Sequence, residues 1–148
     1  MKIRSIALAS DHAGYELKLK IIKHLEDLGY ENIHDVGAYS TESSDYPDFA
    51  HKLAEAVESD DYDIGISLCG SGNGINMTAN KHQGIRSALC WSVEISRLAR
   101  AHNDANICAL PARFIDEKLA IEVVDIFLKT EFEGGRHLRR VKKIPIKK

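Results

Sequence analysis

Residues 63–75 read Asp63-Ile64-Gly65-Ile66-Ser67-Leu68-Cys69-Gly70-Ser71-Gly72-Asn73-Gly74-Ile75, a short apolar run that passes directly into the most glycine-rich stretch of the chain. The run has the length and flanks of a buried strand, and the residues after it, through Asn80, read as a helix. A strand that feeds a glycine turn and then a helix is half of a parallel crossover unit. The same alternation continues outward in both directions. Upstream, residues 3–9 form an apolar strand, and Asp11 stands where it can cap a helix whose apolar positions are Tyr15, Leu17, Leu19, Ile21, Ile22 and Leu25. Gly29 stops that helix, residues 31–37 read as a second strand, and residues 40–47 are a polar loop rich in turn formers. Phe49, Leu53, Ala56 and Val57 then recur at helical spacing. Downstream, residues 85–90 and 105–110 read as strands and residues 93–101 and 116–128 as helices, the last with an apolar face of Leu119, Val123, Val124 and Phe127. The pattern predicts an α/β, doubly wound (Rossmann-like) fold with a five-stranded parallel sheet and helices on both faces. A basic C-terminal tail leaves the last helix at Gly134-Gly135.

The 148 residues fit a single domain, 1–148, with one ordinary core. Hydrophobic residues at 44% and charged ones at 28% describe a globular chain. No apolar run approaches the roughly 20 residues that cross a bilayer. The start, Met1-Lys2-Ile3-Arg4-Ser5, enters a strand with no signal-peptide pattern, so a cytoplasmic protein without a membrane partner is expected. Cys69, Cys90 and Cys108 are too scattered for a disulfide framework and have no zinc-type spacing, so reduced thiols, no metal and no cofactor are expected. Residues 134–148 hold seven Lys or Arg and no acid; with the whole chain at −2, the rest carries −9. An acidic body and a tail without aromatic residues argue against nucleic acid, and a phosphate-bearing small molecule is the better partner for such a tail.

Ligands of open α/β sheets bind beyond the carboxyl ends of strands. Four places stand out on that criterion: Ser10-Asp11-His12, Cys69 with its glycine loop, Pro111-Ala112-Arg113, and Ala101-His102-Asn103-Asp104 at the end of the fourth helix. The glycine loop offers N–H groups to a phosphate or an oxyanion, although a plain tight turn has the same composition. Ile75 occupies the third-glycine position of a dinucleotide fingerprint and no G-K-[ST] follows, which excludes both familiar nucleotide loops. Cys69, at the lip of the loop, suits a thiolate base because a helix N-terminus favours the anion. Cys90 and Cys108 read as small buried hydrophobes. His102 is either a dipole partner at a helix end or a general acid–base. A phosphorylated sugar that transfers a proton through an oxyanion satisfies all of these features.

The chain carries Ser10-Asp11-His12-Ala13-Gly14, Asp45-Tyr46-Pro47, Cys69-Gly70-Ser71-Gly72-Asn73-Gly74, Ala79-Asn80-Lys81, Gly84-Ile85-Arg86, His102-Asn103-Asp104-Ala105-Asn106 and Glu133-Gly134-Gly135-Arg136-His137 in that order. In these motifs, and over nearly its whole length, it resembles ribose-5-phosphate isomerase type B, in the group that includes galactose-6-phosphate isomerase subunits. The resemblance implies that Cys69 moves a proton between C2 and C1 of the sugar. The loop through Gly70, Ser71, Gly72, Gly74 and Ile75 would stabilise the enediolate through backbone N–H groups, with Ser71 counted among the catalytic groups and Asn73 among the substrate-binding residues. His102 would open the furanose ring, with Asp11 handling hydroxyl protons. The resemblance also implies a phosphate grip of His12, Arg113, Arg136 and Arg140, and a sugar lining of Tyr46 and Asn103. It further implies a homodimer, or a tetramer of such dimers, in which the tail, residues 134–148, completes the partner's pocket. Asn76, where many members carry serine, bears on hydroxyl contacts; Pro111, where glycine is common, bears on the placement of Arg113. The alternatives are isomerisation of a six-carbon sugar phosphate, allose 6-phosphate or galactose 6-phosphate, and a non-catalytic phosphosugar-binding role.

Overall fold

The computed structural model describes residues 2–146. Five strands, β1 (Ser5–Ser10), β2 (Asn32–Asp35), β3 (Ile64–Cys69), β4 (Ser87–Leu89) and β5 (Ile107–Pro111), form one sheet in the order β2-β1-β3-β5-β4. Every neighbouring pair is parallel. The helices between and after them are α1 (Tyr15–Asp27), α2 (Tyr46–Glu58), α3 (Asn73–Ala79), α4 (Val93–Ala101) and α5 (Glu117–Lys129), followed by α6 (Arg136–Val141). The doubly wound α/β architecture expected from the sequence is present. Because successive strand residues point to opposite faces, each strand feeds two cores. Ile6, Leu8, Ile64, Ile66, Leu68, Cys108 and Leu110 pack with Ile21 and Leu25 of α1, Ala99 of α4 and Val123 and Phe127 of α5. Ala7, Ala9 and Ile107 pack instead with Leu53, Ala54 and Val57 of α2 and Ala79 of α3. Cys69 lies on this second face, beside Ala50, Ile75 and Ala109.

The strand order reverses between β1 and β3, since β1 leads outward to β2 while β3 leads the other way. The crevice at such a reversal, beyond the carboxyl ends, is where this fold class takes ligands. Here that crevice is bounded by Asp11 and His12 after β1 and by Cys69 and its glycine loop after β3.

Three local expectations are corrected. Asp11 does not sit at the cap of α1. Gly14 holds that position, and Asp11 Oδ1 accepts the N–H groups of Ala13 (2.9 Å) and Gly14 (3.3 Å) in the turn before it. Leu19, counted among the apolar positions of α1, is 42% exposed, whereas Lys18 beside it is fully buried. Burial lowers the Lys18 pKa, and the hydrogen bond and charge of Asp35 pull it back up. The tail is partly helical rather than trailing: Gly134 and Gly135 turn the chain with positive φ, and α6 follows. Ile146 then exchanges two hydrogen bonds with the side-chain amide of Gln83. Lys147 and Lys148, which belong to that basic tail, lie outside the described residues. Among the described residues no helix is long and apolar enough to cross a membrane.

Candidate active site

The loop after β3 is shaped by glycines that approach other groups too closely for a side chain. Gly72 has a left-handed backbone, φ 76°, and a Cβ there would meet Leu89 at 2.5 Å. Gly74 lies under the Tyr46 ring, whose Cε1 would sit 2.5 Å from a Cβ. The turn leaves donors free: among the described residues the N–H groups of Ser71, Gly72, Gly74 and Ile75 find no acceptor in the chain. Asn73 N–H is taken by the Ser71 hydroxyl at 3.2 Å, which leaves the Ser71 proton available. Cys69 lies at the base of this loop, 4% exposed. Arg113 folds over Gly70, with its N–H on the Gly70 carbonyl (2.9 Å) and its guanidinium 3.4 Å from where a Cβ on Gly70 would lie. Pro111 therefore does not pull Arg113 away from the loop. Asn76 Oδ1 accepts the Ser87 hydroxyl at 2.6 Å, so that amide is committed to β4.

His12 stands across the crevice. Ser44 N–H donates to His12 Nδ1 (3.1 Å) and the Ser44 hydroxyl accepts His12 N–H (3.1 Å). With Nδ1 accepting, a neutral ring carries its proton on Nε2, which makes that nitrogen the donor. The sequence reading missed Ser44, because nothing in a polar loop marks one serine over another. Gly74→Ala tests this geometry. The added methyl must displace the Tyr46 ring, so kcat/KM should fall by about tenfold or more while the fold survives, since a misplacement of about 1 Å costs up to about 100-fold. Steady-state kinetics beside a thermal melt separate the two effects.

His102 and Asn103 do not belong to this crevice. α4 runs back along the sheet, so its end lies beside the amino ends of the strands, where Asn106 O accepts Gly65 N–H at the start of β3. The grouping of residues 101–104 with the carboxyl-end sites is thus overturned. Strands of five or six residues separate the two edges by about 17–20 Å. At the amino edge the loop is held rigidly. Asp104, with positive φ (47°), receives Arg100 (3.2 Å) and Arg86 (3.4 Å), and Arg86 Nε also donates to the Asp104 carbonyl. Burial lowers the Arg100 pKa, against the pull of Asp104. The His102 ring stacks on His137 (centroids 4.2 Å, planes 10° apart), and both Nε2 atoms approach Glu133 Oε1 at 3.7 and 3.6 Å. Burial, then the neighbouring His102 and Arg136, hold the His137 pKa below the usual histidine value. Glu133 and His137 belong to the Glu133-Gly134-Gly135-Arg136-His137 motif, and only the stacking shows that they meet His102.

His102, Glu133 and His137 are also the one group of metal-ligand type among the described residues, with candidate atoms within 4.8 Å of one another. The stacked rings carry their lone pairs in nearly parallel planes, a poor match to converging ligation. Arg136 and Arg140 are exposed on α6 at this same edge. Among the described residues none of Arg113, Arg136 and Arg140 pairs with a carboxylate, which leaves three guanidinium groups open to an anion.

One chain therefore carries its candidate residues in two separate groups. Asp11, His12, Tyr46, Cys69 to Ile75 and Arg113 lie at the carboxyl edge; His102, Asn103, Arg136 and Arg140 lie at the amino edge. A doubly wound α/β protein with a cysteine at an oxyanion-ready loop and unpaired arginines has the makings of a phosphosugar isomerase. Comparison with known proteins agrees, because the model of the ribose/galactose isomerase family matches residues 6–144. The chain belongs to that family. It is 42% identical over 142 residues to ribose-5-phosphate isomerase B of Escherichia coli, covering 96% of this chain and 95% of that one. The crystal structure of a ribose 5-phosphate isomerase from Thermotoga maritima superposes with a TM-score of 0.94 at 49% identity, over 98% and 99% of the two chains. Ribose-5-phosphate isomerase B from Mycoplasma genitalium, solved with bound ribulose-5-phosphate, matches with a TM-score of 0.90 at 45% identity, over 95% and 93%.

Proposed function

We propose that this chain interconverts ribose 5-phosphate and ribulose 5-phosphate, in a site that pairs the carboxyl-edge residues of one copy with the amino-edge residues of a second. The observation that carries this reading is Cys69 at the base of a loop whose Ser71, Gly72, Gly74 and Ile75 N–H groups are free. The Cys69 thiolate takes the C2 proton of the open-chain aldose, the electron pair moves onto the C1 oxygen, and the resulting enediolate is held by those N–H groups. The proton of the C2 hydroxyl then passes to the C1 oxygen, and the Cys69 thiol returns the abstracted proton to C1 as the carbonyl forms at C2, giving the ketose. Each preorganised donor of this kind is worth about 2.7–4 kcal/mol in the transition state.

Ring opening precedes that step. His102 of the second copy delivers a proton to the ring oxygen, while Asp11 accepts the proton of the anomeric hydroxyl. Asp11 Oδ1 is engaged by two backbone N–H groups, so Oδ2 is the oxygen left for this work. His12 Nε2–H, Arg113, and Arg136 and Arg140 from the second copy hold the phosphate dianion. Tyr46 and Asn103 flank the sugar. Relatives named ribose-5-phosphate isomerase B support the five-carbon substrate.

The test is conversion of ribose 5-phosphate by the purified protein. Ketose should form, and exhaustive chelation should leave the rate unchanged, because the enediolate charge is met by N–H groups. A rate lost on chelation and restored by one divalent ion would refute the metal-free mechanism. No ketose from ribose 5-phosphate would refute the substrate.

A further inference from the structure

We propose that Lys18, buried within the first turns of α1, is a positioning residue for the substrate phosphate: it locks residues 35–39 against the end of β1 and thereby holds Ser44 and the His12 ring. The inference rests on the reading above that His12 grips phosphate. Lys18 is among the largest fully buried side chains, at 0% exposure, on a helix that had Leu19 available for the core. A buried ammonium ion is costly, and an aliphatic side chain would fill the same space more cheaply. Such a charge is explained by what it binds. Lys18 Nζ donates to Asp35 Oδ1 (2.7 Å) and to the Ala38 carbonyl (2.5 Å). It also lies 5.6 and 5.7 Å from the Tyr15 and Tyr39 rings.

These bonds tie a loop to a strand end. Asp35 Oδ1 also accepts Gly37 N–H (2.9 Å), and the Tyr39 hydroxyl donates to the Asp35 carbonyl (3.0 Å). The segment so knotted extends the sheet beside β1. Val36 N–H donates to Leu8 O, Ser10 N–H to Gly37 O (2.8 Å) and Ala38 N–H to Ser10 O (2.6 Å). Asp11 and His12 come next in the chain. From the knotted segment the loop runs on to Ser44, which clasps His12 at both its backbone N–H and its Nδ1. Lys18 also belongs to the helix that begins just after His12, through its own N–H on Gly14 O (2.9 Å). The ammonium thus braces the two segments that flank the phosphate-binding histidine. Without it, Asp35 and the Ala38 carbonyl lose their shared donor, and the two hydrogen bonds between Ser44 and His12 are left to hold that loop without the brace.

The experiment compares Lys18→Met, Lys18→Arg, Asp35→Asn and Ser44→Ala, assayed well below each melting temperature. The readouts are kcat, KM for ribose 5-phosphate, the inhibition constant of inorganic phosphate, and the 15N shifts of the His12 ring. Lys18→Met and Asp35→Asn should each raise KM and the phosphate constant about tenfold, with kcat much less affected and the Nε2–H tautomer signature of His12 blurred. Lys18→Arg should recover part of the loss. Adding Ser44→Ala to either brace variant should cost little more, because both act through one linkage. Variants that lower only the melting temperature, with KM and the phosphate constant at wild-type values, would overturn the proposal. So would a loss in Lys18→Met not shared by Asp35→Asn, since that pattern marks a distant charge and not a brace. If Lys18→Met does not fold, Asp35→Asn and its pairing with Ser44→Ala decide by the same criteria. A His12→Ala variant with unchanged phosphate affinity would instead remove the reading of His12, and this proposal with it. That result is distinct from weakened phosphate binding in His12→Ala together with wild-type behaviour in the brace variants.

Discussion

Cys69→Ala should lower the isomerisation rate about 100- to 10,000-fold, the range that a positioned acid–base contributes, while inorganic phosphate still binds. The separation is expected because the Cys69 side chain packs with Ala50, Ile75 and Ala109 at the base of the loop, whereas an anion is met by other side chains, the guanidinium groups of the arginines and the His12 ring. Removing one sulfur from that packed corner should cost the fold little, so a folded but inactive protein is the predicted result. Cys90 and Cys108 are the controls. Both are fully buried between β4 and β5 and α4 and α5, out of reach of any substrate. Contact with Cys90, and then burial, push the Cys108 thiol well above its usual pKa; the same contact lowers Cys90. Alanine at either should leave turnover near wild type. Near-normal turnover by Cys69→Ala would end its assignment as the base.

The second large effect is a recovery. Cys69→Ala and His102→Asn should each be nearly inactive on ribose 5-phosphate, yet a mixture refolded or exchanged to equilibrium should regain activity. A hybrid dimer has one site built from two mutated halves and one built from two intact halves. Random pairing makes half the dimers hybrid, each with one working site of two, so about a quarter of wild-type activity is expected. Sites contained within one chain would show no recovery at all. His102→Asn alone adds a second reading. It should lose most of its rate on a sugar phosphate that closes a ring and much less on a four-carbon aldose phosphate that cannot. Equal losses on both substrates would leave His102 only its place at the end of α4, where a dipole contact is worth about 0.3–1 kcal/mol of stability.

The partition of the site between two edges sorts what could be foreseen from what could not. Strand and helix are legible in residues 63–75 because side-chain periodicity is a local property: six apolar or small residues in a row, then glycines, then a helix. The same holds for the alternation that makes the sheet parallel and covered on both faces, and for Cys69 at the lip of a loop that binds no dinucleotide. The length of an element was less legible. Ile85 and Cys90 are buried like strand residues, yet the ladder of β4 spans only Ser87–Leu89.

The amino-acid sequence by itself therefore determined the doubly wound fold, the crevice residues after β1 and β3, and the family resemblance carried by its motifs. The tertiary structure alone decided where the motifs stand relative to one another. His102 reads as one more residue near a strand, but α4 carries it to the amino edge, because a right-handed crossover must return the chain across the sheet before the next parallel strand begins. Its stacking on His137 and approach to Glu133 join residues more than 30 positions apart, a relation no local pattern encodes. Lys18 is the sharpest case. A lysine in an amphipathic helix reads as solvent-facing, and only the meeting of α1, the end of β1 and residues 35–39 supplies the carboxylate and carbonyl that make its burial tolerable.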